Sequence, residues 1–184
     1  MAATPPPPSE TPLAELARGT WRLDPARSSV EFHVPHFWGL MTVKGHFDRY
    51  EGMLNLQSEP AVQLTIEADS LDTGNRKRDQ HLRSTDFFDV EREPQVRFAS
   101  DSVVLDGDKL KVAGRLHAAG KSIPLELDAT LERVDDDLQI EAVTRATHRE
   151  LGMTWSPLGM TRPVSRLIVK GRLHREPNKR SEAQ

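Results

Sequence analysis

IPLELDATL, residues 123–131, has an aliphatic side chain at every second position. A period of two predicts a β-strand whose aliphatic face, from Ile123 to Leu131, is dry and whose other face is wet. Nine residues at about 3.3 Å each give a strand roughly 30 Å long. Long strands leave long rows of unpaired backbone groups at a sheet edge, and closure of the sheet into a barrel removes those edges.

The same period recurs along most of the chain. The other alternating stretches are 30–34, 62–68, 95–98, 110–116, 138–142 and 167–173. Turn sequences of hairpin length separate several of them, namely Asp106-Gly107-Asp108, Ala119-Gly120-Lys121 and Asp135-Asp136-Asp137. These patterns predict an all-β fold of about eight antiparallel strands. A two-sheet sandwich and a closed barrel are the two common architectures, and the long strands favour the barrel.

The inward-facing residues of these strands are mostly Val, Leu, Ile, Ala and Gly, and aromatic residues make up only 5% of the chain. An eight-stranded barrel has room for packed side chains or for one small ligand. Because small aliphatic side chains leave volume open at the barrel axis, we expect a lined tunnel and not a plugged core.

The composition restricts the function classes. The 184 residues fit one domain, and 25 basic against 28 acidic residues give a net charge of −3. That balance disfavours a broad electrostatic surface for nucleic acid, so no nucleic-acid partner is expected. The chain has no Cys, which excludes disulfides and thiolate metal sites.

The two ends of the chain are predicted to be tails around one domain. Residues 1–20 contain a run of four prolines and are expected to form a disordered tail with a short helix near its end. The barrel is expected over 21–174, and a second disordered tail over 175–184. The sequence shows no secretory leader and no apolar run of about 18 residues, so we expect a soluble, cytoplasmic protein.

One segment departs from the alternation: residues 72–90, DTGNRKRDQHLRSTDFFDV. Asn75 is a good helix N-cap, and Gly74 before it can adopt a positive φ. We therefore predict one short helix at Asn75–Arg83. Asp79 and Arg83 are four residues apart on this helix, a spacing that favours an ion pair.

The same segment contains the residue types of a hydrolase site, because His81, Ser84 and Asp86 lie within six residues. Side chains this close on a short helix and turn rarely converge as a triad, so no catalytic residue is predicted. Phe87 and Phe88 instead supply apolar area, and burial of each stabilises by roughly 1.5–3 kcal/mol. The segment is expected to be a structural lid, in which His81 is packed or touches a ligand headgroup.

No metal site is expected. His33 and His36 are three residues apart, and on a strand this spacing points the two side chains to opposite faces. His46 adds no metal-binding motif to them. Two apolar loops, FWGLM at 37–41 and the loop that contains Trp155, are candidates for a barrel mouth or for transient contact with a membrane surface. Core packing is the alternative for both loops.

Four stretches of the sequence resemble the YceI-like polyisoprenoid-binding family. They are WRLDPARSSVEFHV at 21–34, VKGHFDRYEG at 43–52, the segment 72–90 with the EREPQVRF that follows it, and THRELGM at 147–153. The third is the most specific and is similar to a D-T-G-N-x-x-R-D-x-H-L-x-S-x-D-F-F-D signature. In the fourth stretch, His148 and Leu151 stand in place of Asn and Phe.

The resemblance implies an extended eight-stranded antiparallel β-barrel, lipocalin-like, that binds a long-chain polyprenyl lipid or isoprenoid quinone. It implies a carrier or store for lipid and not an enzyme, with no cofactor besides this ligand and with pairing into a homodimer left open. The expected ligand-binding residues are Phe32, Val34, Phe37, Trp38, Phe47, Leu64, Ile66, His81, Phe87, Phe88, Phe98, Leu125, Leu127 and Trp155.

Three alternatives to a lipid carrier remain open from the sequence. The first is an enzyme or accessory factor acting on a quinone or lipid-like substrate through His81, Asp79 or Arg83. The second is a scavenger of amphiphilic small molecules. The third is an interaction module whose barrel is filled by its own side chains.

Overall fold

The computed structural model describes residues 13–36, 40–153 and 164–177. Over these residues the chain forms two α-helices and ten β-strands. Every pair of hydrogen-bonded strands among them is antiparallel. The helices are α1, Leu13–Leu16, and α2, Arg76–Arg83. The strands are β1, Thr20–His36; β2, Met41–Phe47; β3, Tyr50–Asn55; β4, Ala61–Glu67; β5, Leu71–Asp72; β6, Gln95–Asp106; β7, Lys109–Ala118; β8, Lys121–Val134; β9, Asp137–Thr147; and β10, Val164–Arg175.

The sheet closes on itself because β10, the last strand, pairs with β1, the first. One half of β1 pairs with β3 and the other half with β2, so β2 and β3 act as one strand interrupted at residues 48–49. Likewise β5 continues β4 after a short 3₁₀ turn at Ala68–Ser70. The ten segments therefore form a closed eight-stranded antiparallel barrel with one short helix in mid-chain, which confirms the predicted fold.

The predicted hairpin turns are present between the later strands. Gly107 and Gly120 have φ values of 60° and 72°, which glycine adopts without steric cost. Ala119, in the turn of Gly120, and Asp135, in the turn between β8 and β9, have φ values of 49° and 58°, a conformation that is unfavourable for most residues with a side chain. These tight turns hold β6 to β9 together as a continuous meander.

One end of the barrel is closed by leucines. Leu54, Leu110, Leu131 and Leu138 are each at most 2% exposed, and strand register places them near the start of β1 and the end of β10. We call this the floor end, and the opposite end, where β1 finishes and β10 begins, the lid end. The interior is therefore packed solid at the floor.

Packing at the floor end extends beyond the barrel strands themselves. The Trp21 indole Nε1 donates a hydrogen bond to the Ala17 carbonyl oxygen at 2.7 Å, and Ala17 is completely buried. The Arg175 guanidinium lies 4.8 Å from the Trp21 ring centroid. The packed structure thus starts ahead of Trp21 and includes Arg175, because both flanking segments fold against this one indole.

Helix α2 begins and ends as its sequence predicts. Asn75 is the N-cap, its side-chain oxygen accepting a hydrogen bond from the Arg78 amide at 3.1 Å, and Gly74 before it has a φ of 73°. The predicted ion pair between Asp79 and Arg83 is wrong. Asp79 instead accepts hydrogen bonds from the amide and hydroxyl of Thr73, whereas Arg83 donates to two backbone carbonyls.

Gly45 on β2 makes room for an aromatic ring inside the barrel. A Cβ atom at this position would lie 2.3 Å from the Phe32 ring. Phe32 is on the neighbouring strand β1, directly opposite Gly45 in the register, and is 6% exposed. The ring therefore occupies the volume that a side chain at residue 45 would need.

We expect Gly45→Ala to lower the free energy of unfolding by about 1–3 kcal/mol, because the added methyl overpacks the Phe32 ring. Urea unfolding monitored by circular dichroism measures the change. In a Phe32→Leu background the same substitution should cost less, since the obstructing ring is gone. An equal cost in both backgrounds would contradict the role given to Phe32.

Candidate functional site

The barrel encloses an apolar cavity of about 280 Å³ above its leucine floor. This volume is near the lower end of the range for small-molecule sites, roughly 300–1,000 Å³. Inward-facing residues from most of the strands line it, and α2 with the turn after it lines its lid end. The cavity is therefore the barrel interior itself, open above the level of the floor.

The inward residues at mid-height are partly accessible although they face away from the outer solvent. On β8, Leu127 is half-buried whereas its inward neighbours Leu125 and Ala129 are buried. Leu64 and Leu167 are likewise half-buried and also line the cavity. Their accessible surface is the cavity wall, so the barrel is hollow at this level as predicted, although the packed floor closes one end of the predicted tunnel.

Eleven of the fourteen sequence-predicted ligand-binding residues line this cavity. They are Phe32, Val34, Phe47, Leu64, Ile66, His81, Phe87, Phe88, Phe98, Leu125 and Leu127. The other three, Phe37, Trp38 and Trp155, lie outside the described residues. That any of these residues contacts a ligand stays a prediction.

Aromatic side chains attach the lid segment to the barrel wall. The Phe88 ring meets the Phe47 ring edge to face, with centroids 6.0 Å apart, and Phe47 in turn lies 5.4 Å from Phe32. Leu82 on α2 and Phe87 after it also face the cavity. The lid is thus fixed by apolar contact with the same surface that a ligand tail would touch.

Two polar side chains of α2 lie at the cavity edge. The Arg78 guanidinium donates to the hydroxyl of Thr73 at 2.7 Å and to its carbonyl oxygen at 2.8 Å. His81 has its Nε2 atom 3.2 Å from an Asp86 carboxylate oxygen and its ring edge-on to Phe87 at 5.2 Å. These contacts orient both side chains from within the lid.

The candidate triad of the lid is not assembled in the structure. The Ser84 hydroxyl donates to the backbone carbonyl of His81 at 2.7 Å, as a helix C-cap contact, and not to the imidazole. Activation of a serine nucleophile needs a hydrogen bond from the hydroxyl to the base. His81 and Asp86 do contact each other, but the Ser84 hydroxyl is hydrogen-bonded to a backbone carbonyl.

The sequence analysis missed a second polar pair on the opposite wall. His148 Nε2 is hydrogen-bonded to the Ser165 hydroxyl, and both side chains line the cavity at its lid end. Burial lowers the pKa of His148 below its ordinary value of 6.5. A signal was available, because His148 continues the inward alternation of Leu138, Ile140 and Ala142 beyond the end of β9.

His33 and His46 lie beside carboxylates of Glu31 and Asp48, each at 3.3 Å. Over residues 13–36, 40–153 and 164–177, no three His, Asp or Glu side chains are grouped as metal ligands would be. Within the same ranges no helix has the length and apolar character needed to cross a membrane.

Comparison with known proteins decides the family. The model of the YceI-like domain matches residues 21–170. The chain belongs to the YceI-like family. This match includes at least part of every barrel strand and the whole lid, so the family pattern and the closed barrel describe nearly the same part of the chain.

Curated relatives support this assignment over a shorter span. Protein YceI of Escherichia coli O157:H7 is 38% identical over 112 residues, and a UPF0312 protein of Pectobacterium atrosepticum is 36% identical over 112 residues. Each alignment covers 59% of this chain and 58% of the relative. The chain thus spans somewhat over half the length of the curated relatives it matches.

Solved structures share the fold at low sequence identity. BcnA of Burkholderia cenocepacia has a TM-score of 0.74 at 18% identity, covering 82% of this chain and 98% of its own. A domain from Saccharophagus degradans described as polyisoprenoid binding has a TM-score of 0.69 at 11% identity, covering 86% and 99%. At these identities the likeness shows a common fold.

The stability of this YceI-like barrel should depend on pH through His148. Because burial lowers the His148 pKa in the folded state, the unfolded chain binds a proton there first as the pH falls below about 6.5. The free energy of unfolding should therefore decrease between about pH 7 and pH 5. His148→Gln should weaken this decrease in urea titrations repeated at each pH, and an unchanged pH dependence would contradict the assignment.

Proposed function

We propose that this protein binds one long-chain isoprenoid lipid, a polyprenyl lipid or an isoprenoid quinone, and carries or stores it. The single observation that supports the proposal is the apolar cavity of about 280 Å³, closed by leucines at one end. A hydrocarbon tail matches such a lining, because every wall contact would exchange water-exposed apolar surface for buried apolar surface.

The hydrophobic effect is large enough to hold such a ligand. Each CH₂-sized group removed from water contributes about 0.8 kcal/mol. Association costs an estimated 4–15 kcal/mol in lost freedom, so roughly five to twenty such groups offset it. A tail of several isoprene units meets this requirement, whereas a short tail does not.

Family membership supports the same ligand class. One structural neighbour is described as a polyisoprenoid binding domain, and its fold is shared by this chain. The polar groups of the present cavity lie toward the lid end, where Arg78 and His81 border it. A ligand would accordingly insert its tail toward the floor and keep its headgroup near the lid.

We propose a carrier without a catalytic role. Two of the acid and base candidates of the enzyme alternative, Asp79 and Arg83, make the hydrogen bonds that hold α2 to Thr73 and to the carbonyls of Asp69 and Leu71. These contacts support a structural role for the two side chains. Only the ligand itself is proposed as a bound non-protein group.

Filling the cavity should abolish lipid binding. Leu127→Trp places an indole in the middle of the barrel, and we expect it to lose most co-purifying or added prenyl lipid. Glu126→Trp is the matched control, because Glu126 is exposed on the outer face of the same strand. Native mass spectrometry measures bound lipid in both variants and reports the number of subunits at the same time.

Lipid retained in full by a folded Leu127→Trp protein would contradict binding inside the barrel. Absence of lipid from the wild-type protein, together with no uptake of added prenyl lipid or quinone, would defeat the proposed function. Circular dichroism establishes whether each variant is folded before its lipid content is compared.

We further propose that the lid end touches membranes transiently during lipid exchange. Leu40 and Met41, at the start of β2, are 86% and 61% exposed although both are large and apolar. They lie at the lid end, where Met41 pairs with His36. Partial insertion of such side chains into a bilayer would bring the cavity close to its lipid source.

Leu40→Glu should slow the transfer of a fluorescent prenyl lipid from vesicles by roughly fivefold or more, since burying one leucine contributes about 1.5–3 kcal/mol. Its affinity for the lipid in solution should stay unchanged. Val104→Glu is the matched control, because Val104 is 58% exposed and lies toward the floor end. Equal transfer rates for the two variants would refute membrane contact through Leu40.

A further inference from the structure

A polar pair, the buried Ser165 and the half-buried His148, interrupts the apolar cavity wall near the lid end. Ser165 is the second residue of β10 and is 6% exposed, and His148 follows the last residue of β9. The register pairs Ser165 with Ala146, so His148 lies diagonally across from it on the inward face. The imidazole Nε2 and the serine hydroxyl are hydrogen-bonded to each other.

The surroundings of this pair are apolar. Ala146 and Leu167 precede and follow it on the inward faces of the two strands, and Leu151 and Met153 line the cavity beside it. Burying polar groups in such a wall is costly unless they are hydrogen-bonded. The mutual hydrogen bond offsets part of that cost, but two aliphatic residues would avoid it altogether.

The pair keeps hydrogen-bonding capacity beyond its mutual contact. A serine hydroxyl has one donor and two acceptor sites, so a single bond to His148 uses only one of them. If the hydroxyl donates to Nε2, its oxygen lone pairs are available, and if Nε2 donates, the hydroxyl hydrogen is available. When Nε2 carries the proton, Ser165 can donate to a carbonyl or hydroxyl oxygen of a ligand; when the serine donates to Nε2, it can accept from a ligand hydroxyl only.

The backbone holds His148 in place. The amides of Leu151 and Met153 both donate to the His148 carbonyl oxygen, at 3.1 Å and 3.0 Å. Gly152 between them has a φ of 76°, which lets the chain turn back within this short span. These bonds fix the backbone of His148 and the bond to Ser165 orients its imidazole, so a ligand bound there loses little affinity to ordering the protein.

The chemistry of the pair favours an uncharged ligand group. Burial keeps the His148 pKa below its usual range, so the imidazole is neutral near pH 7. The cavity-lining cation of the lid, Arg78, is on α2 and bonds to Thr73. A neutral serine and imidazole do not repay the desolvation of an anion, whereas a carbonyl or hydroxyl oxygen needs only the hydrogen bond.

We propose that His148 and Ser165 form the headgroup subsite of the barrel, which binds an uncharged carbonyl or hydroxyl oxygen of the lipid. This inference rests on the proposed function, since it places the head of the same ligand. From Ser165 to Leu173 at the floor, eight residues of β10 span roughly 26 Å, or about 20 Å along a barrel axis from which strands tilt by 35–45°. A headgroup at the pair therefore leaves about that length for the tail.

The test compares three probes that share one short prenyl tail: a prenylated benzoquinone, a prenyl alcohol and the corresponding hydrocarbon. Isothermal titration calorimetry gives the affinity of each for the wild-type protein. We expect the quinone, the alcohol or both to bind about five- to tenfold more tightly than the hydrocarbon, as one added hydrogen bond predicts. Preference for the quinone alone identifies a carbonyl partner, and preference for the alcohol alone identifies a hydroxyl partner.

Variants then locate the preference on the cavity wall. In Ser165→Ala and His148→Leu, the ratio of quinone or alcohol affinity to hydrocarbon affinity should fall to about one, with the hydrocarbon affinity unchanged. His148→Gln should retain most of the preference, because an amide side chain still forms hydrogen bonds. Arg166→Gln is the matched control, because Arg166 is exposed on the outer face of β10 next to Ser165, and it should leave the preference at the wild-type ratio. Arg78→Gln tests the lid as the alternative position of the headgroup. Unchanged hydrocarbon affinity also shows that each variant keeps its barrel.

Two results would overturn the subsite. One is a wild-type protein that binds all three probes equally. The other is a preference for the polar probes that persists in both Ser165→Ala and His148→Leu. If that preference were lost in Arg78→Gln instead, the headgroup would lie at the lid helix. In both cases hydrocarbon binding remains and the proposed function stands, whereas a wild-type protein that binds none of the probes defeats the proposed function itself.

Discussion

The antiparallel pairing of β1 with β10 is the constraint on which the rest of the structure depends. It joins the first and last strands of the barrel in nine registered residue pairs, with a shift between Leu23 and Ser28. Without it, both strands would be free edges with unpaired amides and carbonyls over much of their length. Closure also encloses a volume, so the cavity exists because this last pairing is made.

The inward residues divide the enclosed volume into a solid part and a hollow part. At the floor end the leucine side chains are almost fully buried and fill the interior. The cavity wall above them contains small residues that fill little of it, namely Ala118, Ala129, Ala142 and Ala146. Leu127, on β8, lies on the wall of the hollow part and remains partly accessible. The cavity is therefore a product of side-chain size at each level of a regular barrel.

The strands and the lid helix could be predicted because their causes are local. Alternation of side chains and turn sequences of hairpin length identify β6 to β9, and Gly74 with Asn75 marks where α2 begins. The partners of Asp79 and Arg83 could not be predicted, because Thr73 and the carbonyls of Asp69 and Leu71 meet α2 only through the fold. The alternation of β9 places His148 on the inward face, but its contact with Ser165 and the closed end could not be predicted, because strand register between distant segments decides which inward residues lie at the same level.

The leucine floor gives the barrel a direction. If the proposed lipid enters this barrel, the packed floor leaves no second exit, so binding and release would use the same end and would alternate. The part of a lipid chain that exceeds the depth of the cavity would then extend beyond the lid end. Lipids of different chain length would then differ in how much of the chain stays outside the barrel, without any side chain that recognises the number of units.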